Sequence, residues 1–192
     1  MIAFRSKYIA PAKIQQRIAY GKYVDKNASI IEYEPENKKD LLELGKIASD
    51  WRSSRDYLSY ACDIYSDAFF ESENFLYGKG SNKRFLAVSL QNSHFENIPS
   101  CNVLALAELS KNRMGGSYTL EFLQVSPEHT YYNEDRQYKK IGAALINAIK
   151  DIAGNKKIIV DSVPSAVGFY ELMGFKRDST FSGLRLMFKR KI

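Results

Sequence analysis

The 192-residue chain has only two cysteines, Cys62 and Cys101, and only two histidines, His94 and His129. None has metal-ligand spacing, and two thiols in different settings make no disulfide framework. A structural metal and a cysteine nucleophile are thereby set aside, and both thiols are expected to be reduced. No run approaches the roughly eighteen apolar residues of a membrane span. The opening "MIAFRSKYIAPAKIQQ" lacks the apolar core of a signal peptide, so a soluble, cytoplasmic protein with no membrane partner is expected. Internal repeats and low-complexity segments are also missing.

What is present is a 45% hydrophobic composition, enough for one well-buried core at this length. The net charge of +6 is unevenly spread. Residues 1–26 hold six bases against one acid, residues 27–75 hold eleven acids against five bases, and the remainder carries +7. The reading is a basic N-terminal extension, 1–26, ahead of a single domain, 27–192, with an acidic first part and a basic body.

Periodicity gives the elements. "SIIEYEP" reads as a first strand. "NKKDLLELGKIASDW" and Ser54 to about Phe70 read as helices, the second with Leu58, Ala61, Cys62, Tyr65 and Phe69 on its apolar face. Strands follow at Arg84–Gln91, Asn102–Ser110 and Ser117–Val125, an antiparallel run. Alternation in the last puts Thr119, Glu121, Leu123 and Val125 on one face and Tyr118, Leu120, Phe122 and Gln124 on the other. A helix with Ile141, Leu145, Ala148, Ile149 and Ile152 on one face closes at Gly154 and Asn155. Then come the strand "KKIIVDSV", a short helix "SAVGFYELMG" with Ser165 as N-cap and Gly174 as its stop, and the closing strands "FKRD" and "GLRLMFKR". The fold class is mixed α/β, a mainly antiparallel sheet of six to seven strands with helices on both faces.

One junction conflicts with helix preferences. "RQYKKIGAALINAIKDIAGN" starts a helix on two lysines and a glycine, although a helix N-terminus already carries partial positive charge. An anionic ligand resolves the conflict, because orphan N–H groups at a helix start hold phosphate.

Three motifs in order, "LEFLQVSPE", "QYKKIGAALI" and "AVGFYELMGF", resemble the core of the GCN5-related N-acetyltransferase (GNAT) family. The likeness covers Ser29 to Arg190 by element order and Leu120 to Phe175 by motif. It implies acetyl-CoA as co-substrate and no metal. The pantetheine would lie along Leu123, Gln124 and Val125. Its diphosphate would sit on Gln137, Tyr138, Lys139, Lys140, Ile141, Gly142 and Ala143, with Ser162 and Phe169 also on the cofactor side. Lys140 stands where the family has a glycine, so a positive φ there costs about 1 kcal/mol. Val163 stands where many relatives have asparagine, and the loop "SPEHTYYNEDR" is longer than usual.

The resemblance places Tyr170 as the acid that protonates the departing thiolate. Glu121, a carboxylate within an apolar strand, is the candidate base, with Glu108 as substitute. The function implied is acetyl transfer to a primary amine by direct attack. From the charge division the acceptor is expected to be cationic, a polyamine, an aminoglycoside or a lysine or peptide amine, steered by Asp56, Asp63 and Asp67. The alternatives are a toxin-like enzyme acetylating aminoacyl-tRNA, which the basic arm favours, and an inactive CoA-binding regulatory module. A monomer or homodimer fits either.

Overall fold

The computed structural model describes residues 7–52, 60–77, 81–95, 97–112, 116–179 and 183–190. Among the described residues nine strands form one sheet: β1 (Tyr8–Ala19), β2 (Lys22–Tyr33), β3 (Lys83–Ser89), β4 (Val103–Lys111), β5 (Ser117–Val125), β6 (Tyr138–Lys139), β7 (Lys157–Asp161), β8 (Lys176–Arg177) and β9 (Arg185–Phe188). Their spatial order is β6-β1-β2-β3-β4-β5-β7-β9-β8. Every neighbouring pair is antiparallel except β5 and β7. A helix must intervene where parallel neighbours are joined, and α3 (Ile141–Ala153) does so. The mixed, mainly antiparallel sheet is as expected, with more strands than six or seven.

The additional strands are at the start. The first strand begins at Lys22 rather than Ser29, and β1 precedes it. Of the extension read from sequence over 1–26, residues 1–6 lie outside the described residues, and residues 8–26 are β1, a turn at Gly21, φ +70°, and the first part of β2, paired from Tyr8↔Ile31 to Ala19↔Lys22. The alternation was obscured because β1 lies at the sheet border and buries little besides Ile14, which is 1% exposed. Lys7 fixes the entry to β1, with its Nζ 3.1 Å from Asp40 and 2.7 Å from Glu43 on α1 (Lys38–Arg52).

Each face of the sheet carries helices. Leu44, Ile47, Ala48 and Trp51 recur at helical spacing and seat α1, and the Asn37 side chain accepts the Lys39 N–H at its start. On α2 (Tyr60–Leu76) the buried stripe is Ala61, Ile64, Ala68 and Glu71. This corrects the expected face and length, since Phe69 is 46% exposed and the helix runs past Phe70. The start of that expected helix, 54–59, lies outside the described residues. Opposite, α3 buries Ile141, Leu145, Ile146, Ile149 and Ala153, and α4 (Val167–Leu172) buries Val167 and Tyr170. Ser165 is not the cap of α4, because it sits in a 3-10 turn, Pro164–Ala166, and no side chain caps the helix. Gly174, φ +83°, is its stop as read. Among the described residues no helix is long and apolar enough to cross a membrane.

Truncation of Ile14 tests whether the first hairpin belongs to the cooperative core. Ile14→Ala is expected to lower unfolding free energy by about 2–4 kcal/mol. Urea titration followed by circular dichroism measures it; an unchanged midpoint would mean that the hairpin does not share the core's stability.

Candidate active site

β5 and β4 do not pair in simple register. Glu108 faces Phe122 and Leu109 faces Leu120, so Glu121 is an extra residue, a β-bulge. The bulge shifts the side-chain phase. Tyr118, Leu120, Leu123 and Val125 all pack on the α3 side, whereas Phe122 packs on the α1–α2 side. The strict alternation expected from sequence is corrected accordingly. Glu121 itself is exposed at this point.

The pairing of β5 with β7 stops at the same level, with Leu120↔Val160 as its last pair. Beyond it, among the described residues, no strand pairs with the β7-facing edge of β5. The backbone of Phe122 to Val125 thus offers hydrogen-bonding groups into a wedge, the condition for binding an extended ligand as an added strand. Leu123, Val125 and Phe169 are partly buried beside it.

One end of the wedge meets the start of α3. Lys140 is its N-cap in the left-handed region, φ 61° and ψ 15°, and no side chain caps the helix. The first helical bond runs from Ala144 N–H to Lys140 C=O, 2.9 Å, which leaves the N–H groups of Ile141, Gly142 and Ala143 without an intrahelical partner. A lysine held there at a glycine-type φ orients these donors together. Gly142 is needed for packing: a Cβ would meet the Phe169 ring at 3.3 Å and Val125 Cγ2 at 3.7 Å. The approach to the helix is clamped by the hairpin, since Gln15 and Gln16 of β1 pair with Lys139 and Tyr138. Lys139 Nζ lies 3.9 Å from the centre of the Tyr23 ring, while Gln137 and Lys140 are exposed.

Tyr170 is 6% exposed and packs against the rings of Phe169 and Phe175. Burial, together with the neighbouring Tyr60, pushes its phenol up to about 12. It stays protonated at neutral pH, as a proton donor must. Tyr60, at the start of α2, also stacks on Phe122 with ring centres 5.6 Å apart. The sequence had given no sign that Tyr60 sits near Tyr170, since an aromatic residue at a helix start has no distinctive spacing.

The remaining expected residues are spread. The Gln124 side chain is buried on the α2 side, where its Oε1 accepts the Ala61 N–H at 2.8 Å. The Ser162 hydroxyl donates to the Val163 carbonyl, 2.9 Å. Asp63 is exposed, Asp56 lies outside the described residues, and Asp67 is bound to Lys83 at 2.5 Å. Lys83 Nζ also stands 2.7 Å from Oε1 of the fully buried Glu108 as an ion pair. Burial raises the Glu108 carboxyl from 4.5 to about 7, with Lys83 opposing the rise and Asp67 adding to it.

The comparisons agree with this geometry. Residues 109–182 match the family model of the acetyltransferase (GNAT) domain. No curated protein matches the chain. Among solved structures, the PaiA N-acetyltransferase of Thermoplasma acidophilum in complex with coenzyme A is 19% identical, with 85% of this chain and 99% of that chain covered and a TM-score of 0.50. The AtaTR complex bound with AcCoA is 16% identical, covering 84% of this chain and 92% of that one, at a TM-score of 0.52. AtaT complexed with acetyl-methionyl-tRNAfMet is 15% identical, covering 84% and 94%, at 0.50. At these identities the likeness is one of fold. Residues 109–182 thus match an acetyltransferase (GNAT) domain, a domain of the acyltransferase class.

Two outcomes follow from the strained and buried groups. Replacing Lys140 by glycine is expected to raise stability by about 1 kcal/mol, because the left-handed φ no longer opposes a side chain. For Glu108 the folded pKa lies above the unfolded one, so its contribution is fully present below pH 4.5 and is lost as pH rises through about 7. Relative to Glu108→Gln, the wild type should lose about 2–3 kcal/mol of stability between pH 4.5 and 8. Urea titrations of both proteins across that range measure it, and parallel curves would contradict the buried carboxyl's assignment.

Proposed function

We propose that the protein transfers an acetyl group from acetyl-CoA to a primary amine by direct attack, with no acyl-enzyme. The observation that carries this reading is the coincidence of the wedge beyond Leu120↔Val160 with the uncapped N–H groups of α3 at its end. A chain of amides can hydrogen-bond along Phe122–Val125, and a diphosphate suits three free N–H donors flanked by Lys139 and Lys140. When bound, acetyl-CoA supplies an activated thioester. The residues of this chain then do the rest. Tyr170 holds a proton for the sulfur, Phe169 and Val125 shape the wedge, and Glu121, exposed at the bulge, takes the ammonium proton directly or through water.

The acceptor is a cationic amine in this reading, a polyamine, an aminoglycoside or a lysine or peptide amine, approaching from the acidic α1–α2 side. Much of that acidity is engaged internally, since Lys7 pairs with both Asp40 and Glu43, Arg84 binds Glu32, and Lys83 binds Asp67. Asp63 is thus the exposed member of the expected trio among the described residues. A second reading, acetylation of aminoacyl-tRNA, is favoured by the hairpin. Lys13, Lys22 and Lys26 are exposed on it, with Arg17 and the 92% exposed Tyr20, beside Lys139 and Lys140. Basic side chains with an exposed aromatic ring suit a nucleic-acid backbone and a stacked base.

Calorimetric titration with acetyl-CoA, followed by CoA release with polyamines, lysine peptides, aminoglycosides and charged tRNA, tests the reading. Failure to bind acetyl-CoA sinks it. Charged tRNA as best acceptor, with its use abolished by neutralising Lys13, Arg17, Lys22 and Lys26, gives the second reading instead. Gly142→Val should raise the acetyl-CoA Michaelis constant about tenfold or more by displacing Phe169 and Val125. Tyr170→Phe should lower kcat about tenfold to a thousandfold with the fold intact; wild-type turnover would assign the proton donor elsewhere.

A further inference from the structure

Tyr60 is the first described residue of α2, and two contacts hold it against β5. Its ring stacks on Phe122, with centres 5.6 Å apart and planes inclined at 35°. The N–H of the next residue, Ala61, donates to Oε1 of the buried Gln124 at 2.8 Å, which ties the α2 backbone to the same strand. Both contacts depend on the bulge. Without the extra residue at Glu121, Phe122 and Gln124 would share the α3 face with Tyr118 and Leu120, and neither could meet α2.

Phe122 lies just beyond Leu120↔Val160, the last pair of β5 with β7, so Tyr60 stands where the two strands part, on the α1–α2 side. Tyr170 belongs to the opposite side, packed with Phe169 and Phe175 in the core beneath α3. The gap between β5 and β7 is where the two faces meet with no strand between them. In keeping with this, Tyr60 adds to the rise that burial imposes on the Tyr170 pKa. Tyr60 is half-buried, and among the described residues its hydroxyl makes no hydrogen bond. Its ring is thus fixed by stacking while its polar end is unengaged, although a phenol in such a setting usually has a partner.

We propose, resting on the acetyl-transfer reading, that Tyr60 contacts the acceptor: its hydroxyl oxygen accepts a hydrogen bond from the attacking nitrogen and thereby selects primary amines. Once the ammonium has lost a proton, a primary amine has one lone pair and two N–H groups. The lone pair forms the bond to the thioester carbonyl carbon. One N–H donates to Tyr60 and is retained in the product amide. The other proton leaves through Glu121 or water, while the C–S bond breaks and the sulfur takes the Tyr170 proton. Solvent restores the Tyr170 proton and carries off the one from nitrogen. A secondary amine has a single N–H, which has to be the one that leaves, so nothing remains for Tyr60. The two phenols flanking the gap serve the two ends of the reaction, Tyr170 the departing sulfur and Tyr60 the entering nitrogen.

Steady-state kinetics of wild type and Tyr60→Phe test this, with whichever polyamine, lysine peptide, aminoglycoside or charged tRNA is turned over and with its N-methyl derivative at the reacting nitrogen. The substitution keeps the ring on Phe122 and removes only the hydroxyl. It should lower kcat/KM about threefold to tenfold for the primary amine and less than about twofold for the N-methyl amine, so that the preference for the primary amine narrows. Acetyl-CoA affinity, measured by calorimetry, should not change. The preference is a ratio within one protein, so partial unfolding of the variant does not alter it. An unchanged preference, or an equal loss with both amines, overturns the role of Tyr60 and leaves acetyl transfer in place. A wild type that transfers acetyl to none of these amines overturns the transfer reading and the role of Tyr60 with it.

Discussion

The separation of β5 from β7 beyond Leu120↔Val160 is the constraint on which the site depends. Two parallel strands normally continue together until one ends, since each unmade ladder bond leaves polar backbone to be satisfied elsewhere. Here the bulge at Glu121 adds a residue to β5 only, bends it, and shifts its inward side chains from Tyr118 and Leu120 to Leu123 and Val125. The strand stays in the sheet through β4 while its other edge is released. α3 starts where β5's loop returns, and its unfilled N–H groups point to the same region. Bulge, open edge and uncapped helix act as one arrangement.

The first hairpin supports that arrangement from the far side of the sheet. Short β6 is held by two pairs to β1, and a further bond joins Arg17 N–H to Gln137 C=O, 2.8 Å. The segment that leads into α3 is therefore clamped before the left-handed Lys140 turns it into the helix. The hairpin is fixed in turn by Ile14 in the core and by Lys7 between Asp40 and Glu43. A charge partition that looks like two opposed fields in one dimension becomes, in three, a set of internal neutralisations with a smaller exposed remainder. Removing one partner of such a pair would leave an uncompensated buried charge.

How much of this was legible follows from the kind of signal each feature leaves. The antiparallel run β3–β4–β5, the helix from Ile141 to Ala153 and its stop at Gly154, and the short helix before Gly174 were readable because local periodicity and glycine punctuation encode them. The ordered motifs indicated the acetyltransferase class, and the clash of two lysines with a helix start indicated an anion. The hairpin was missed because a border strand buries few residues, and the strand face was misassigned because a bulge leaves the sequence alternation unbroken. Its extra residue is visible only against the partner strand. Tyr60 near Tyr170, the Lys83–Glu108–Asp67 cluster and the orphaned Ser126 and His129 join residues from distant positions, and no local pattern brings them together.

The sequence by itself determined the class of fold, the junction before Gly142 and the chemical types available at the site, since these depend on short-range spacing and on side-chain chemistry. Only the tertiary structure decided which carboxylates remain exposed, where β5 parts from β7, and which polar atoms are buried without partners. The physical reason is that burial, ion pairing and strand register are relations between segments far apart in the chain, and they are fixed only when the sheet has formed and its two layers of helices have closed upon it.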